Sequence, residues 1–126
     1  MIYGVGTDIV EYTRFEKMYS RYGDRIANRM LSDRELAEFR TTPNPARYIA
    51  KRFAAKEAFA KAVGSGLREP VSLRRISITH DSLGKPLLMF DATLGSHLNK
   101  LDIAGHHLSI SDEQNMIVAF VVLERA

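Results

Sequence analysis

The stretch "RFAAKEAFAKAVGSG", residues 52–66, has the alanine density of a helix that is packed on every side. It nevertheless carries three cations, Arg52, Lys56 and Lys61, against a single carboxylate, Glu57. Helical spacing puts the first two cations on one ridge and the other two charges on a second ridge, roughly 100° away. Because a buried charge is costly unless it is paired, the excess of cations predicts that an anion meets this helix.

Two interpretations of these charges compete. Glu57 and Lys61 form an i,i+4 pair in its favoured orientation, which contributes only about 0.2–0.5 kcal/mol on a helix surface. That interpretation leaves Arg52 and Lys56 without partners, beside helix ends rich in proline and glycine. A polyphosphate ligand would satisfy both cations, so we expect a phosphorylated ligand at this helix.

Asp8, in "GVGTDIV" (residues 4–10), is a second polar residue beside apolar ones. It could be a turn residue whose carboxylate bonds to nearby backbone. Paired with Glu57, it could instead hold Mg²⁺, which commonly takes one or two protein carboxylates plus phosphate oxygens and water. The two glycines do not complete a dinucleotide-binding G-x-G-x-x-G motif, because Ile9 stands at the third glycine position.

The length and composition are typical of one globular domain, here residues 1–126, with 45% hydrophobic and 26% charged residues. The longest apolar run, "MIVAFVVL" at 116–123, is too short to cross a bilayer and favours a buried strand. The N-terminal segment lacks the features of a signal peptide, and no cysteine is present for disulfides or thiolate metal sites. We therefore expect a cytoplasmic protein without a membrane partner.

The positive charge of the chain is concentrated in its middle. The net charge is +3 and the isoelectric point is about 9.3. Residues 40–75 carry nine Lys and Arg against two acids, whereas residues 76–126 carry three against six. A local field of this kind favours a defined anionic ligand. A nucleic-acid-binding module is the main alternative, but the cations do not alternate with exposed aromatic side chains as a stacking platform requires. We therefore expect no nucleic-acid partner.

The order of predicted elements indicates an α+β domain, with an antiparallel sheet packed against a long central helix. Capping boxes at Thr13 and Ser32, and Asn44 followed by Pro45, mark three helix starts, and Gly64 marks the end of the longest helix. In chain order we expect a strand at 2–7, helices at 14–22, 33–40 and 45–63, strands at 71–80 and 85–90, a short helix at 93–102, and strands at 106–111 and 116–126.

The first predicted helix carries a basic face. Arg14 and Arg21 lie within about 60° of one another around the helix, with Met18 beside them. Arg25 follows after a glycine. The ordinary interpretation is a solvated surface, and the alternative is a docking ridge for an acidic partner.

Four segments in combination resemble the holo-acyl-carrier-protein synthase family of 4′-phosphopantetheinyl transferases. They are "GVGTDIVE" (4–11), "RFAAKEAFAKAVGSG" (52–66), "GKP" (84–86) and "HLSISDE" (107–113). The resemblance covers essentially the whole chain. It implies an enzyme that moves the 4′-phosphopantetheine arm of coenzyme A onto a serine of an acidic acyl carrier protein and releases adenosine 3′,5′-bisphosphate. It further implies support of fatty acid biosynthesis, and a homotrimer with active sites between subunits.

The resemblance also implies roles for individual residues. Asp8 and Glu57 would hold Mg²⁺, and Glu57 and Lys61 would be catalytic. The implied coenzyme A contacts are Arg52, Lys56, Lys61, Gly64 and Gly66, and the implied carrier contacts are Arg14, Met18 and Arg21. We also expect coenzyme A contacts at Pro86 and His107 and a carrier contact at Arg25.

Some questions stay open at this point. The group that deprotonates the carrier serine could be Glu57, a metal-bound water or Asp112, and His106 has no assigned role. Because cations flank Glu57, we expect this carboxyl to stay ionised. A catalytically silent protein that binds coenzyme A is a third functional possibility beside the transferase and the nucleic-acid module.

Overall fold

A 19-residue helix lies against a three-stranded antiparallel sheet in the computed structural model, which describes residues 1–126. The expected α+β class, with an antiparallel sheet and a long central helix, is confirmed. The elements are β1 (Ile2–Glu11), α1 (Tyr12–Tyr22), α2 (Asp24–Met30), α3 (Asp33–Phe39), α4 (Pro45–Val63), a 3₁₀ turn (Leu73–Arg75), β2 (Ile76–His80), β3 (Pro86–Phe90), α5 (Ala92–Lys100), β4 (Ile103–Asp112) and β5 (Met116–Arg125).

The main sheet has two unlike faces. Its strand order is β1-β5-β4, and β2 and β3 form a separate antiparallel hairpin. Alternate residues of β5 are buried: Ile117, Ala119, Val121 and Leu123. The other face of the sheet leaves apolar side chains exposed, among them Val5, Ile9 and Phe120. Since side chains alternate along a strand, α4 covers only the first of these faces.

Helix α4 is the centre of the hydrophobic core. Thirteen of its 19 residues are buried, and most of them are alanine. They belong to a core cluster of 27 buried residues that draws on every helix and strand of the chain. Because alanine side chains are short, the helix axis can lie close to the elements around it, as the alanine density of the sequence indicates.

Two glycines in β1 allow the closest approach of α4 to the sheet. A Cβ atom added to Gly4 would lie 2.1 Å from the carbonyl oxygen of Ala62, and one added to Gly6 would lie 1.9 Å from that of Ala58. Real Cβ atoms do not tolerate such distances to backbone. These glycines therefore serve packing between helix and strand.

The helix ends agree with the sequence signals in two cases and differ in a third. Ser32 forms the predicted capping box with Glu35, and Asn44 caps α4, which ends at Gly64 in a left-handed conformation. The predicted capping box at Thr13 is wrong. Helix α1 begins at Tyr12 directly after β1, without a side-chain cap from its own N-terminal residue. The backbone N–H of Thr13 donates instead to the side chain of Asn115, in the turn between β4 and β5.

Several element boundaries also differ. Helix α2 was not predicted, since its seven residues show little periodicity. Strand β1 continues to Glu11 because it pairs with β5 along its whole length. Strand β2 begins at Ile76, after a 3₁₀ turn occupies residues that favoured a strand. No helix is both long and apolar enough to cross a lipid bilayer.

Replacing Gly6 tests the close contact between α4 and β1. We expect Gly6→Ala to lower the free energy of unfolding by about 2 kcal/mol or more, because the added methyl group overpacks the contact with Ala58. Gly95→Ala is the matched control, since a Cβ there meets nothing within 4 Å and Gly95 lies within α5. The control should be more stable than the wild type by about 0.5–1 kcal/mol. Urea denaturation measures both changes, and equal stability of Gly6→Ala and wild type would contradict this packing.

Candidate active site

Asp8 and Glu57 come together where β1 packs on α4. Asp8 pairs in the sheet with Ala119, which is fully buried, so its side chain points toward the helix. Its Oδ2 atom is buried and has no hydrogen-bond partner. No group of three or more His, Cys, Asp and Glu side chains forms a ready-made metal cage. A buried oxygen without a partner is costly, so Asp8 offers an open position to a hydrogen-bond donor or a cation.

Lys61 lies over the same carboxylate, one helical turn beyond Glu57. Its Nζ atom donates to Asp8 Oδ1 at 3.0 Å and to the backbone oxygen of Thr7 at 2.9 Å. About half of the Lys61 side chain is exposed, whereas that of Asp8 is 16% exposed. The ammonium group can therefore reach both the carboxylate and a ligand in solvent.

The Glu57 carboxyl titrates above its ordinary range. Burial raises its pKa most, the nearby negative charge of Asp8 raises it further, and Lys61 and Arg14 lower it. Lys61 and Arg14, and not Lys56 and Arg52 on the other ridge of the helix, are the cations that favour the ionised form of Glu57, and that this carboxyl stays ionised remains a prediction. Two half-buried carboxyl groups that repel each other are suited to a shared cation.

A glycine turn follows these groups at the end of α4. Gly64 and Gly66 both have positive φ angles, 95° and 67°, and their N–H groups both donate to the carbonyl oxygen of Ala60. Helix α4 thus stops within one turn of Lys61. A Cβ added at either glycine would meet nothing within 4 Å, so the turn leaves open space at the end of α4, within one turn of Lys61.

On the other ridge of α4, the Lys56 ammonium is paired with a carboxylate inside the protein, that of Glu35. Lys56 has no exposed surface, and its Nζ atom lies 2.5 Å from Glu35 Oε1, 2.8 Å from the Met30 oxygen and 2.9 Å from the Leu73 oxygen. All three ammonium protons therefore have acceptors. Burial lowers the pKa of Lys56, and Glu35 opposes this effect. These internal acceptors give Lys56 a structural role, and it could meet a phosphate, as predicted, only by leaving the core.

Glu35 is the residue that sequence reasoning missed. It is 1% exposed and its two oxygens also accept the backbone N–H groups of Ser32 and Ile78. The sequence shows Glu35 as the last residue of a capping box, a role it also fulfils. Nothing local to the chain indicates that the same carboxylate neutralises Lys56, which lies 21 residues away.

Arg52 is also satisfied within the chain for the most part. It is 5% exposed, its guanidinium lies 3.4 Å from the centre of the Tyr48 ring, and its Nη2 donates to Glu38 at 3.4 Å. Its Nε atom, 3.9 Å from Glu35, makes no hydrogen bond. The premise that Arg52 has no partner of its own is therefore wrong, although one nitrogen stays free.

Pro86 and His107 do not meet Asp8 within one chain. Pro86 begins β3 opposite His80, whose pKa is lowered by burial and by the charge of Arg52. His107 lies opposite Val122 on the uncovered face of the sheet, and its Nε2 is 3.3 Å from Glu124. The residues expected to contact coenzyme A thus occupy separate surfaces of one chain.

Asp112 is held by cations from the start of α4. Arg47 donates to the Asp112 carboxylate and to two backbone oxygens of the β4–β5 turn, and Lys51 lies 3.9 Å away. The Arg47 guanidinium also stacks on Tyr12, 4.1 Å from the ring centre. Asp112 therefore fixes the turn that caps α1. His106 packs edge-on against Phe90, and burial lowers its pKa.

The basic face of α1 is exposed beside the carboxylate pair. Phe15 is buried against Phe53 of α4, which turns Arg14 and Arg21 to solvent. Arg14 is close enough to Glu57 to lower its pKa. The exposed ridge continues from α1 into α2. Arg21 of α1 and Arg25 of α2 both lie over the Tyr22 ring, and Met18 is half-buried.

The buried ion pair gives a direct test of the role of Lys56. Lys56→Ala should lower the free energy of unfolding by about 3–5 kcal/mol, because it leaves the buried Glu35 carboxylate with no cation closer than Arg52 Nε, which is 3.9 Å away and makes no hydrogen bond to it. Lys100→Ala is the control, an exposed lysine without an ion pair, and should change stability by less than about 0.5 kcal/mol. Chemical denaturation measures both variants. A Lys56→Ala protein of wild-type stability that binds phosphate ligands weakly would restore Lys56 as a ligand contact.

Comparison with known proteins places this geometry in a family. The family model of the 4′-phosphopantetheinyl transferase superfamily matches residues 4–120. Holo-[acyl-carrier-protein] synthase of Nitrosospira multiformis is 52% identical over 125 residues, which are 99% of this chain and 100% of the relative. The protein of the same name from Laribacter hongkongensis is 52% identical over 124 residues, 98% of this chain and 99% of the relative.

Solved structures agree with the sequence relatives. The crystal structure of holo-[acyl-carrier-protein] synthase from Neisseria meningitidis is 49% identical, with a TM-score of 0.96 over 99% of this chain and 100% of that chain. The Bacillus anthracis synthase in complex with coenzyme A (3′,5′-ADP) is 36% identical, with a TM-score of 0.82 over 100% of this chain and 99% of that chain. Identity and coverage at these levels show that the chain is homologous to these proteins along its whole length. The chain therefore belongs to the 4′-phosphopantetheinyl transferase superfamily, among the holo-[acyl-carrier-protein] synthases.

Proposed function

We propose that this protein transfers the 4′-phosphopantetheine group of coenzyme A to a serine hydroxyl of an apo acyl carrier protein. The products are the holo carrier and adenosine 3′,5′-bisphosphate. The observation that carries the proposal is the constellation of Asp8, Glu57 and Lys61 beside an open glycine turn, in a chain of this family. Phosphoryl transfer depends mainly on positioning and charge neutralisation, and these groups are suited to both tasks.

We further propose that Mg²⁺ binds Asp8 and Glu57. The residues fit this ion, since Asp8 Oδ2 is buried without a partner and the negative charge of Asp8 raises the pKa of Glu57. Two carboxylates are a usual protein contribution to Mg²⁺, the other ligands being water and substrate phosphate. When bound, the ion would neutralise negative charge on the pyrophosphate of coenzyme A.

Lys61 is the proposed catalytic cation. Its half-exposed ammonium is held beside the carboxylates by Thr7 and Asp8, and its third proton is free for a phosphate oxygen. A charge placed in advance near the leaving phosphate stabilises the transition state more than the ground state. Glu57 is the proposed base for the carrier serine, because its partly exposed carboxylate lies near Lys61 and the basic ridge, whereas Asp112 is tied to Arg47.

Replacement of the carboxylates tests the reaction and the metal site together. The protein is incubated with coenzyme A, Mg²⁺ and an apo carrier protein, and the mass of the carrier is measured. We expect a phosphopantetheine mass gain with the wild type. Asp8→Asn and Glu57→Gln should each lower the transfer rate by more than about a hundredfold, as expected when transition-state charge loses its stabilisation.

The control and the contrary result follow from the same assay. Lys100→Gln also removes one charge, but on an exposed residue of α5 that makes no ion pair, and its rate should match the wild type. EDTA should stop the wild-type reaction and Mg²⁺ should restore it. Near-normal turnover of either carboxylate variant at saturating Mg²⁺ would refute the two-carboxylate site.

We propose that the carrier docks on the basic ridge of α1 and α2. Four side chains form this ridge, and all but the half-buried methionine are exposed: Arg14, Met18, Arg21 and Arg25. The ridge adjoins Glu57 through Arg14, so an acidic carrier bound there would present its serine near the carboxylates. Opposite charges of this kind mainly accelerate encounter.

Reversing the outer charges of the ridge tests the docking proposal. Arg21→Glu with Arg25→Glu should raise the KM for the carrier by about tenfold or more, since charge steering changes association rates by 10-fold to 1000-fold. The Kd for coenzyme A should not change, because these residues lie away from the carboxylates. Lys100→Glu is the control for charge reversal elsewhere. Wild-type activity should fall as the salt concentration rises. An unchanged KM for the carrier in the double variant would refute the docking proposal and leave the ridge as an ordinary solvated surface.

We propose that three copies assemble through the uncovered face of the main sheet. This face exposes several large apolar side chains, and a group of such side chains on one face is typical of an interaction surface. Its exposed members are Ile2, Val5, Ile9, Met116 and Phe120. His107 lies on the same face, apart from Asp8. In the assembly, a second copy would bring to the carboxylates of the first the nucleotide contacts that lie away from Asp8 within one chain.

Sedimentation analysis tests the assembly. We expect a trimer for the wild type and a smaller species for Phe120→Asp, because the new charge would be buried in the interface. Leu83→Asp is the control, since Leu83 is 94% exposed in the turn between β2 and β3. A monomeric wild type would contradict the proposal.

We place the reaction in the cytoplasm and in fatty acid biosynthesis, as the family resemblance implies.

A further inference from the structure

We propose that Lys61 competes with the divalent cation for Asp8, and that coenzyme A relieves this competition by drawing the lysine away. The geometry that carries the inference is the position of the Lys61 ammonium 3.0 Å from Asp8 Oδ1, with Asp8 Oδ2 buried and unpaired. The inference rests on the proposed function and adds an order to its ligands: the metal binds tightly only together with coenzyme A.

The two oxygens of Asp8 are in different states. Oδ1 accepts a hydrogen bond from Lys61 Nζ, which also donates to the backbone oxygen of Thr7 at 2.9 Å. Oδ2 lies buried and accepts nothing. Lys61 is the only cationic side chain that forms an ion pair with Asp8. One half of the carboxylate is therefore neutralised from within the chain, and the other half is left for a ligand.

A divalent cation on Asp8 would lie close to a positive charge that already occupies the same carboxylate. Like charges at such a distance repel, and the repulsion is stronger at this partly buried site than in bulk water. Each oxygen that Lys61 uses is also one fewer for the metal. Lys61 therefore weakens the binding of a free cation while it keeps Asp8 neutralised when no ligand is present.

A polyphosphate can release the lysine without breaking the fold. Lys61 lies in the last turn of α4, and half of its flexible side chain is in solvent beside the open glycine turn. Phosphate oxygens offer the ammonium group stronger acceptors than a backbone oxygen. Once Lys61 turns to a phosphate, Asp8 Oδ1 becomes available to the metal. Binding of the metal and of coenzyme A is then positively coupled, and the coupling is the same from either side.

Mn²⁺ titrations of the full-length protein test this coupling directly. Free Mn²⁺ is measured by electron paramagnetic resonance, with and without coenzyme A, so that the readout does not depend on turnover. In the wild type, coenzyme A should lower the Kd for Mn²⁺. Lys61→Met should lower the Kd without coenzyme A by about fivefold or more, and the additional gain on adding coenzyme A should shrink. Lys61→Gln, which keeps a hydrogen-bond donor without the charge, should act in the same direction.

The controls separate this inference from the proposed function. Lys100→Met changes the net charge equally on a distant exposed residue and should leave the Kd for Mn²⁺ unchanged. If Lys61→Met binds Mn²⁺ as the wild type does, or more weakly, the competition is refuted while the two-carboxylate site stands. If Asp8→Asn binds Mn²⁺ as tightly as the wild type, the metal site itself is wrong, and the competition is refuted with it.

Discussion

The backbone contact between α4 and β1 is the constraint on which the rest of the structure depends. Gly4 and Gly6 leave the strand without side chains where the carbonyl oxygens of Ala62 and Ala58 approach it. Because the backbones of α4 and β1 lie this close, Glu57 and Lys61, which precede Ala58 and Ala62 on the helix, lie over the next inward-facing position of the strand, Asp8. The carboxylate pair is therefore a consequence of packing, and the position of Asp8 depends on the two glycines that precede it.

Helix α4 carries two charged ridges whose surroundings differ. The ridge of Arg52 and Lys56 turns into the protein, where Glu35 and backbone oxygens satisfy it. The ridge of Glu57 and Lys61 turns to β1, where a carboxylate oxygen stays open. The difference lies in the number of available acceptors. A buried ion pair with all of its protons accepted is a structural element, whereas two carboxylates with one lysine retain a deficit of positive charge.

The surfaces of the chain explain why its candidate contacts are dispersed. Nucleotide contacts expected at Pro86 and His107 lie on the β2–β3 hairpin and on the uncovered sheet face, away from Asp8. The basic ridge of α1, in contrast, adjoins the carboxylates directly through Arg14. A partner that docks on this ridge reaches the carboxylates from the same chain. A ligand that used all of the dispersed contacts would have to span more than one chain.

Local signals in the sequence predicted much of the fold and the centre of the site. The cap at Asn44, the proline that follows it and Gly64 bound α4 correctly, because caps act within a few residues of the chain. The alanine density of α4 indicated that this helix is packed on most sides, whereas the continuous apolar run of β5 predicted a buried strand without indicating which of its faces α4 covers. The chemistry of two carboxylates offered Asp8 and Glu57 as a pair, beside a turn role for Asp8, and the family resemblance implied the same pair.

The tertiary structure decided the partners that lie far apart along the chain. Lys56 finds Glu35 across 21 residues, and Thr13 receives its cap from Asn115 across 102 residues. Neither pairing leaves a periodic or local trace, so the sequence by itself left Lys56 apparently unpaired and gave α1 the wrong cap. The caps of α3 and α4 depend on neighbouring residues, so the sequence indicates them. The neutralisation of a buried charge depends on which distant groups the packed core brings within hydrogen-bonding distance, and only the folded chain determines that.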